Sequence, residues 1–276
     1  MTYIGVDLGG TKVSVAKIKN HNCEKYKRLL IPINGTEKEV LDVIKEAISA
    51  LIDKDVLAIG IGVPSVVDQK NGIVYDVQNI PSWKKVNLRD IIQSHFNIPV
   101  VINNDANCFA LGEARYGIGK KKKNFIGLSI GTGIAGGVII NNSLYNGSNS
   151  GAGEFGMLPY LDKNFEQYCS GQFFQNEFQK LGEEVYSDAK SGDKDSLEIY
   201  NKFGFHLGNM IIHILYTYDP KLIILGGSVS KGFSFFKTSL NSTLESFVYK
   251  SSLDKLKIKV SVDPNIAVKG AAALCY

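Results

Sequence analysis

Cysteine is scarce in this 276-residue chain: Cys23, Cys108, Cys169 and Cys275 are scattered and form no CxxC pair. Neither a disulfide framework nor a cysteine-rich zinc site is indicated. No apolar run approaches the roughly 18 to 20 residues that a membrane span requires, so no membrane partner is expected. The opening "MTYIGVDLGG" lacks the basic segment and long apolar stretch of a secretory leader, because Asp7 and two glycines interrupt it. A cytoplasmic chain is therefore the expectation. Charge is also modest, at a net +4, and four lysines sit in one run at 120–123 without interleaved aromatics. That pattern fits a solvated loop better than a nucleic-acid surface. Histidine is rare too, and His206 and His213 lie two helical turns apart in "FHLGNMIIHILY". The apolar surroundings favour core packing over metal binding.

What is present is ordinary globular composition, with 44% hydrophobic and 21% charged residues. The length suits two domains, since single cores stop growing near this size. The first half reads β-β-β-α-β-α-β-α: "TYIGVDL", "VSVAKI", "YKRLLIPI", the helix "TEKEVLDVIKEAISALI", "VLAIGIGVPS", the helix "NLRDIIQSHF", "PVVINND" and the helix "ANCFALGEARYG". Thr36 and Glu39 predict a capping box at the start of the first helix. After the lysine run the pattern restarts: "FIGLSIGTGIAGGVII" from Phe125 repeats the strand, turn and strand of "YIGVDLGGTKVSVAKI" from Tyr3. An internal repeat of this kind predicts two related α/β lobes with facing glycine hairpins. The remainder reads as helices "SGQFFQNEFQKLGEEVYSDAK" and "SLEIYNKFGFHLGNMIIHILYTY", strand "KLIILGG", a helix from "KGFSFFKTSLNSTLESF", strand "LKIKVSV" and the closing helix "NIAVKGAAALC".

The glycine motifs carry the chemistry. "DLGGTK" at 7–12 opens into a strand, which excludes the phosphate loops and dinucleotide fingerprints that open into a helix. It is either a plain hairpin or an anion cradle, in which Gly9 and Gly10 let backbone N–H groups approach, Thr11 adds a hydroxyl and Lys12 a charge. Asp7 is placed to hold Mg²⁺ through water. "GTGIAGG" supplies a second such hairpin at Gly131, Thr132 and Gly133, and "ILGGSVS" a third glycine signal that ends a strand. In "NNDAN" at 103–107, Asp105 ends a strand and starts a helix, where it serves either as a general base or as a helix cap.

"DLGGTK", "GVPSVVD", "NNDANCFALGE", "GTGIAGGVIIN", "GAGEFG" and "LGGSVS", in this order and spacing, resemble the ROK (repressor, open reading frame, kinase) sugar kinases. These include bacterial glucokinases, fructokinases, and N-acetylmannosamine and N-acetylglucosamine kinases. The resemblance runs from Ile4 to the closing "AVKGAAAL". It implies an α/β, two-lobed actin-like ATPase (ribonuclease H-like) fold, with ATP, Mg²⁺ and a monosaccharide in a cleft between the lobes, and a homodimer. The lobes would be 1–116, the smaller, completed by a closing helix at about 264–276, and 117–263, the larger. Asp105 would be the base and Asn104 a sugar contact. Gly226 and Gly227 would meet the nucleoside, and Ser65 and Asn79 would lie on the sugar side.

Many members run a GExGH motif into a zinc loop of three cysteines. Here "GEFGM" puts Met157 in the histidine's place, and the loop that follows is too short for the cysteines, so no structural zinc is expected. "FEQYCSG" corresponds to the segment after that loop, which makes Glu154 and Glu166 a two-carboxylate sugar clamp. Glucose is the first candidate substrate, with an N-acetylated hexosamine or fructose next. A sugar-sensing transcriptional regulator is the competing reading. Such regulators carry a helix-turn-helix segment ahead of the first strand, whereas this sequence enters that strand at Thr2.

Overall fold

The computed structural model describes all 276 residues. In chain order the elements are β1 (Thr2–Leu8), β2 (Lys12–Lys19), β3 (Asn22–Leu30), α1 (Glu37–Ser49), β4 (Val56–Val63), β5 (Val67–Asp68), β6 (Ile73–Tyr75), β7 (Lys85–Val86), α2 (Leu88–Phe96), β8 (Val100–Asn104) and α3 (Asp105–Arg115). There follow β9 (Phe125–Ile130), β10 (Ile134–Ile140), β11 (Ser143–Tyr145), β12 (Pro159–Tyr160), β13 (Lys163–Asn164), α4 (Phe165–Cys169), α5 (Gly171–Phe178), α6 (Gly182–Ser191) and α7 (Lys194–Tyr218). The chain ends with β14 (Leu222–Gly226), α8 (Phe233–Leu244), α9 (Lys250–Leu253), β15 (Lys257–Val260) and α10 (Ile266–Ala273). Two five-stranded sheets are ordered β3-β2-β1-β4-β8 and β11-β10-β9-β14-β15. Shifted back by 122 positions, β9 and β10 fall within β1 and β2, so each sheet is started by one copy of the repeated hairpin.

The chain divides into two compact units. The first comprises Met1–Lys123, Gly137–Ala152 and Ser261–Tyr276, and the second Asn124–Gly136 and Gly153–Val260. The expected lobes placed 117–123, 137–152 and 261–263 with the second, larger lobe; the structure groups all three with the first unit, which at 155 residues against 121 is the larger of the two. A reason lies in 146–150, where Asn146 accepts from the Asn103 amide at 2.9 Å, Asn149 O from Val67 N–H at 3.2 Å, and Ser150 O from the Asn107 amide at 3.2 Å.

In the first unit, β1 alternates its side chains across the sheet. Ile4, Val6 and Leu8 join Val40, Ile44 and Ile48 of α1 and Leu88 and Ile92 of α2 in one fully buried core. Each such side chain contributes about 1.5 to 3 kcal/mol. On the other face Tyr3 packs with Val268 and Ala272 of α10. That helix lies so close that a Cβ on Gly5 or Gly60 would fall within about 2 Å of its carbonyl oxygens, at Val268 and Ala271 respectively. The small residues of "AVKGAAAL" are thus explained by a backbone-to-sheet approach. The capping box forms: Thr36 Oγ1 accepts from Glu39 N–H at 3.3 Å, and the Glu39 carboxylate accepts from Thr36 N–H at 2.7 Å.

In the second unit, β14 runs parallel to both β9 and β15. The single helix expected over "SGQFFQNEFQKLGEEVYSDAK" is broken into α5 and α6. Gln179 takes a left-handed φ of 55°, and Lys180 N–H returns to Phe174 O at 3.2 Å, closing α5. Glu184 then accepts from Leu181 N–H at 3.0 Å to open α6. No helix is long and apolar enough to cross a membrane.

Candidate active site

Three parallel strands of the first unit end at one edge of its sheet. Asp7 of β1 stands opposite Gly62 of β4, and Gly62 opposite Asn103 of β8, so the two outer residues are two strand spacings apart, about 10 Å. The carboxyl ends of parallel strands are where open α/β sheets present ligand-binding groups. Past Asp7 the chain turns through the first glycine hairpin, which Gly9 N–H closes on Lys12 O at 2.9 Å. Thr11 and Lys12 are exposed. Burial pushes the Asp7 carboxyl up to about 6, against the opposing pull of the Arg28 and Lys12 charges. Asn79 is exposed and packs directly on the hairpin, since a Cβ on Gly10 would lie 2.7 Å from the Asn79 Cβ.

At the end of β8, the sequence left open whether Asp105 is a base or a cap. The cap is Asn104: its Oδ1 accepts from Ala106 N–H at 2.8 Å and from Asn107 N–H at 3.2 Å. Asp105 is the first residue of α3, stays partly exposed, and accepts from Ala106 N–H at 2.8 Å. Asn104 itself is buried, and its amide donates to Ser65 O at 3.2 Å. Expected as a sugar contact, it has both ends of its amide committed to protein partners. The Ser65 hydroxyl donates to Tyr75 O. The sequence reading missed Asn103, whose Oδ1 accepts from Asn104 N–H at 2.7 Å and from the Asn107 amide at 3.0 Å. The triple asparagine of "NNDAN" was the available signal.

The second unit builds its own cluster around the second hairpin. Gly131 N–H donates to Gly133 O at 2.9 Å, and Thr132 at the tip is exposed. One side of the hairpin rests on Glu166, where a Cβ on Gly133 would come within 2.4 Å of Oε2. On Gly131 a Cβ would meet nothing within 4 Å. Glu166, expected to clamp sugar, accepts from Ile134 N–H at 3.1 Å and from the Gln172 amide at 3.2 Å. The partly buried Glu154 lies close enough that burial first, and the Glu166 charge second, raise its carboxyl above the ordinary range. Gly226 ends β14 beside Ser129 of β9. Gly227 follows with φ of 82°, a conformation that suits glycine, and a Cβ there would fall 2.2 Å from Ile130 O.

Between Glu154 and Glu166 the short loop is held by aromatic packing. Tyr160 stacks on Phe165 with ring centroids 4.2 Å apart, and its hydroxyl shares a 3.1 Å hydrogen bond with His206 Nδ1. The Tyr168 hydroxyl donates to Asp162. His213 meets the Phe165 ring edge-on at 5.1 Å, so both histidines of α7 pack against aromatic rings. Cys169 is fully buried, and burial pushes its thiol well above the ordinary value. Met157 sits on a short 3₁₀ turn with 42% of its surface exposed.

Comparison with known proteins identifies the family and the fold. The model of the ROK family matches residues 3–276. A glucokinase of Halalkalibacterium halodurans is 26% identical, over 96% of this chain and 92% of its own length. A xylose repressor of Bacillus spizizenii is 34% identical over 78% of this chain, which spans 60% of the repressor. Among solved structures, a ROK family glucokinase from Streptomyces griseus, in complex with glucose and AMPPNP, matches with a TM-score of 0.85 and 26% identity, covering 99% of both chains. The α/β fold described above is thus that of the ROK sugar kinases, the actin-like ATPase fold. With the family model spanning nearly every residue, the chain belongs to the ROK family.

Proposed function

We propose that this protein is an ATP-dependent sugar kinase that transfers the γ-phosphoryl group to a hydroxyl of a hexose, with glucose the first candidate. The observation that carries the reading is Asp105: a partly exposed carboxylate at the end of β8, relieved of capping by Asn104, on the same sheet edge as Asp7 and the first glycine hairpin. Glucokinase relatives and a ROK glucokinase crystallised with glucose and an ATP analogue support the same reading.

In this mechanism Asp105 accepts the proton of the attacking sugar hydroxyl. Backbone N–H groups of Gly9, Gly10 and Thr11, with the Lys12 charge, hold phosphate oxygens from the first unit. The second hairpin, with Gly131, Thr132 and Gly133, offers backbone donors of the same kind. Such donors act through positioning and charge stabilisation, which supply most of the catalysis in phosphoryl transfer. Gly226 and Gly227 offer backbone to the nucleoside. Ser65 and Asn79 offer polar groups to the sugar, while Asn104, whose amide is bonded to protein, holds the turn that carries Asp105. Glu154 offers a carboxylate to a sugar hydroxyl. Glu166 keeps lone pairs for a sugar hydroxyl beyond its two protein bonds.

A single carboxylate raised to about 6 by burial fits Mg²⁺, which keeps several waters and takes its other contacts from substrate phosphates. Asp7 would hold it through water; when bound, it neutralises charge on the transferred group.

The direct test is coupled ADP release across a panel of glucose, fructose, N-acetylmannosamine and N-acetylglucosamine. ATP turnover that is absent, or indifferent to every sugar, sinks the proposal. A second reading, a sugar-responsive regulator, is favoured by the 34% identity to a xylose repressor. Sequence-specific DNA binding at physiological salt, without sugar-dependent turnover, would establish it.

A further inference from the structure

We propose that Gln172 is a positioning residue for the second glycine hairpin, acting through Glu166; the inference rests on the sugar-kinase reading for its kinetic form. The hairpin is gripped near both ends by the junction of α4 and α5. Gly171 N–H donates to Gly131 O at 2.7 Å, and Ile134 N–H donates to Glu166 Oε2 at 3.1 Å. Because no Cβ would fit on Gly133 against that carboxylate, the place of Glu166 sets the place of the hairpin backbone.

Glu166 is in turn held by an amide chain. Gln172 Nε2 donates to Glu166 Oε1 at 3.2 Å, and Gln172 Oε1 accepts from Gln167 Nε2 at 2.7 Å. Gln167 Oε1 accepts from the exposed Asn176 amide at 2.8 Å. The direction of this chain is forced. Turning the Gln172 amide over would aim its oxygen at a carboxylate and its nitrogen at another amide's nitrogen, breaking two bonds. A carboxylate beside a phosphate-binding hairpin would also repel the polyphosphate unless it is turned onto fixed donors. Ile134 N–H and Gln172 supply those donors, which leaves the Gly131 side open for the ligand.

Gln172→Met keeps the length of the side chain and removes the donor. The bond lost is one to a charged group, and such bonds correspond to about tenfold or more in affinity. The expected result is a KM for ATP raised about tenfold, with the KM for sugar raised less, about threefold, because Glu166 also offers lone pairs to a sugar hydroxyl, and kcat reduced less than threefold. A KM for ATP within about twofold of wild type would overturn the inference. So would a rise in the KM for sugar as large as that for ATP, which places the effect of Glu166 on the sugar rather than on the hairpin. If Gln172→Met does not fold, Gln167→Met breaks the outer link and is read in the same way, with about a threefold effect expected. If the wild type shows no sugar-dependent turnover, the kinase reading fails by itself. Calorimetric titration with AMPPNP then decides this inference: about tenfold weaker binding in Gln172→Met supports it, and binding within twofold overturns it.

Discussion

Replacing Asn104 with alanine removes three hydrogen bonds from one point. Two are the capping bonds from Ala106 N–H and Asn107 N–H, and the third is the donation to Ser65 O. Loss of an N-cap side chain costs about 1 kcal/mol. The bond to Ser65 O is worth about 1 kcal/mol more, rising where the carbonyl is left without a donor. The sum is about 2 to 3 kcal/mol, or a fall in Tm of roughly 4 to 10 °C for a chain of this size. Asn104→Ser restores a capping oxygen but not the reach to Ser65, so it should recover about half the loss. Urea unfolding followed by circular dichroism measures both variants. A loss below about 0.5 kcal/mol in Asn104→Ala, or equal losses in the two variants, would refute the assignment of Asn104 as the cap of α3.

Asp7 gives a pH prediction. Its carboxyl rises from 3.8 to about 6 in the fold, so the native state holds this proton more tightly than the unfolded chain does. The resulting stabilisation is full below about pH 4 and is lost as pH rises through about 6, a penalty of up to about 3 kcal/mol at neutral pH. Asp7→Asn should therefore raise the neutral-pH Tm of the ligand-free protein and flatten its dependence between pH 4 and 6, while turnover falls; an unchanged Tm profile would contradict the assignment. Gly133→Ala places a Cβ 2.4 Å from Glu166 Oε2 and should break the bond to Ile134 N–H. A rise of about tenfold or more in the KM for ATP is expected from steady-state kinetics, and a change below twofold would show that the hairpin tolerates the displacement.

Features encoded within a few residues were legible in the sequence. The capping box at Thr36 and Glu39, the two glycine hairpins 122 positions apart, and, to within one residue, the strand-to-helix junction at Asp105 all rest on local spacing. The contacts that assign roles were not. Glu166 meets Ile134 across 32 positions, and Asn103 meets Asn146 across 43. No periodicity registers a pairing of that kind, so Glu166 read as a sugar ligand when its carboxylate also supports a hairpin. The small sheet of β5, β6 and β7 escaped because strands of two or three residues carry no alternation to detect. The break between α5 and α6 escaped for a different reason: Gln179 adopts a left-handed φ without the glycine that normally marks such a stop.

The most direct measurement is the kcat of Asp105→Asn beside wild type, on the sugar that best supports ADP release, with sugar binding followed separately by thermal shift. A ligand at 100 times its dissociation constant stabilises by about 2.7 kcal/mol, enough to read in both proteins. The variant should still bind sugar while kcat falls by a factor of about 10² to 10⁴. Undiminished turnover in Asp105→Asn would contradict the role of Asp105 as the base.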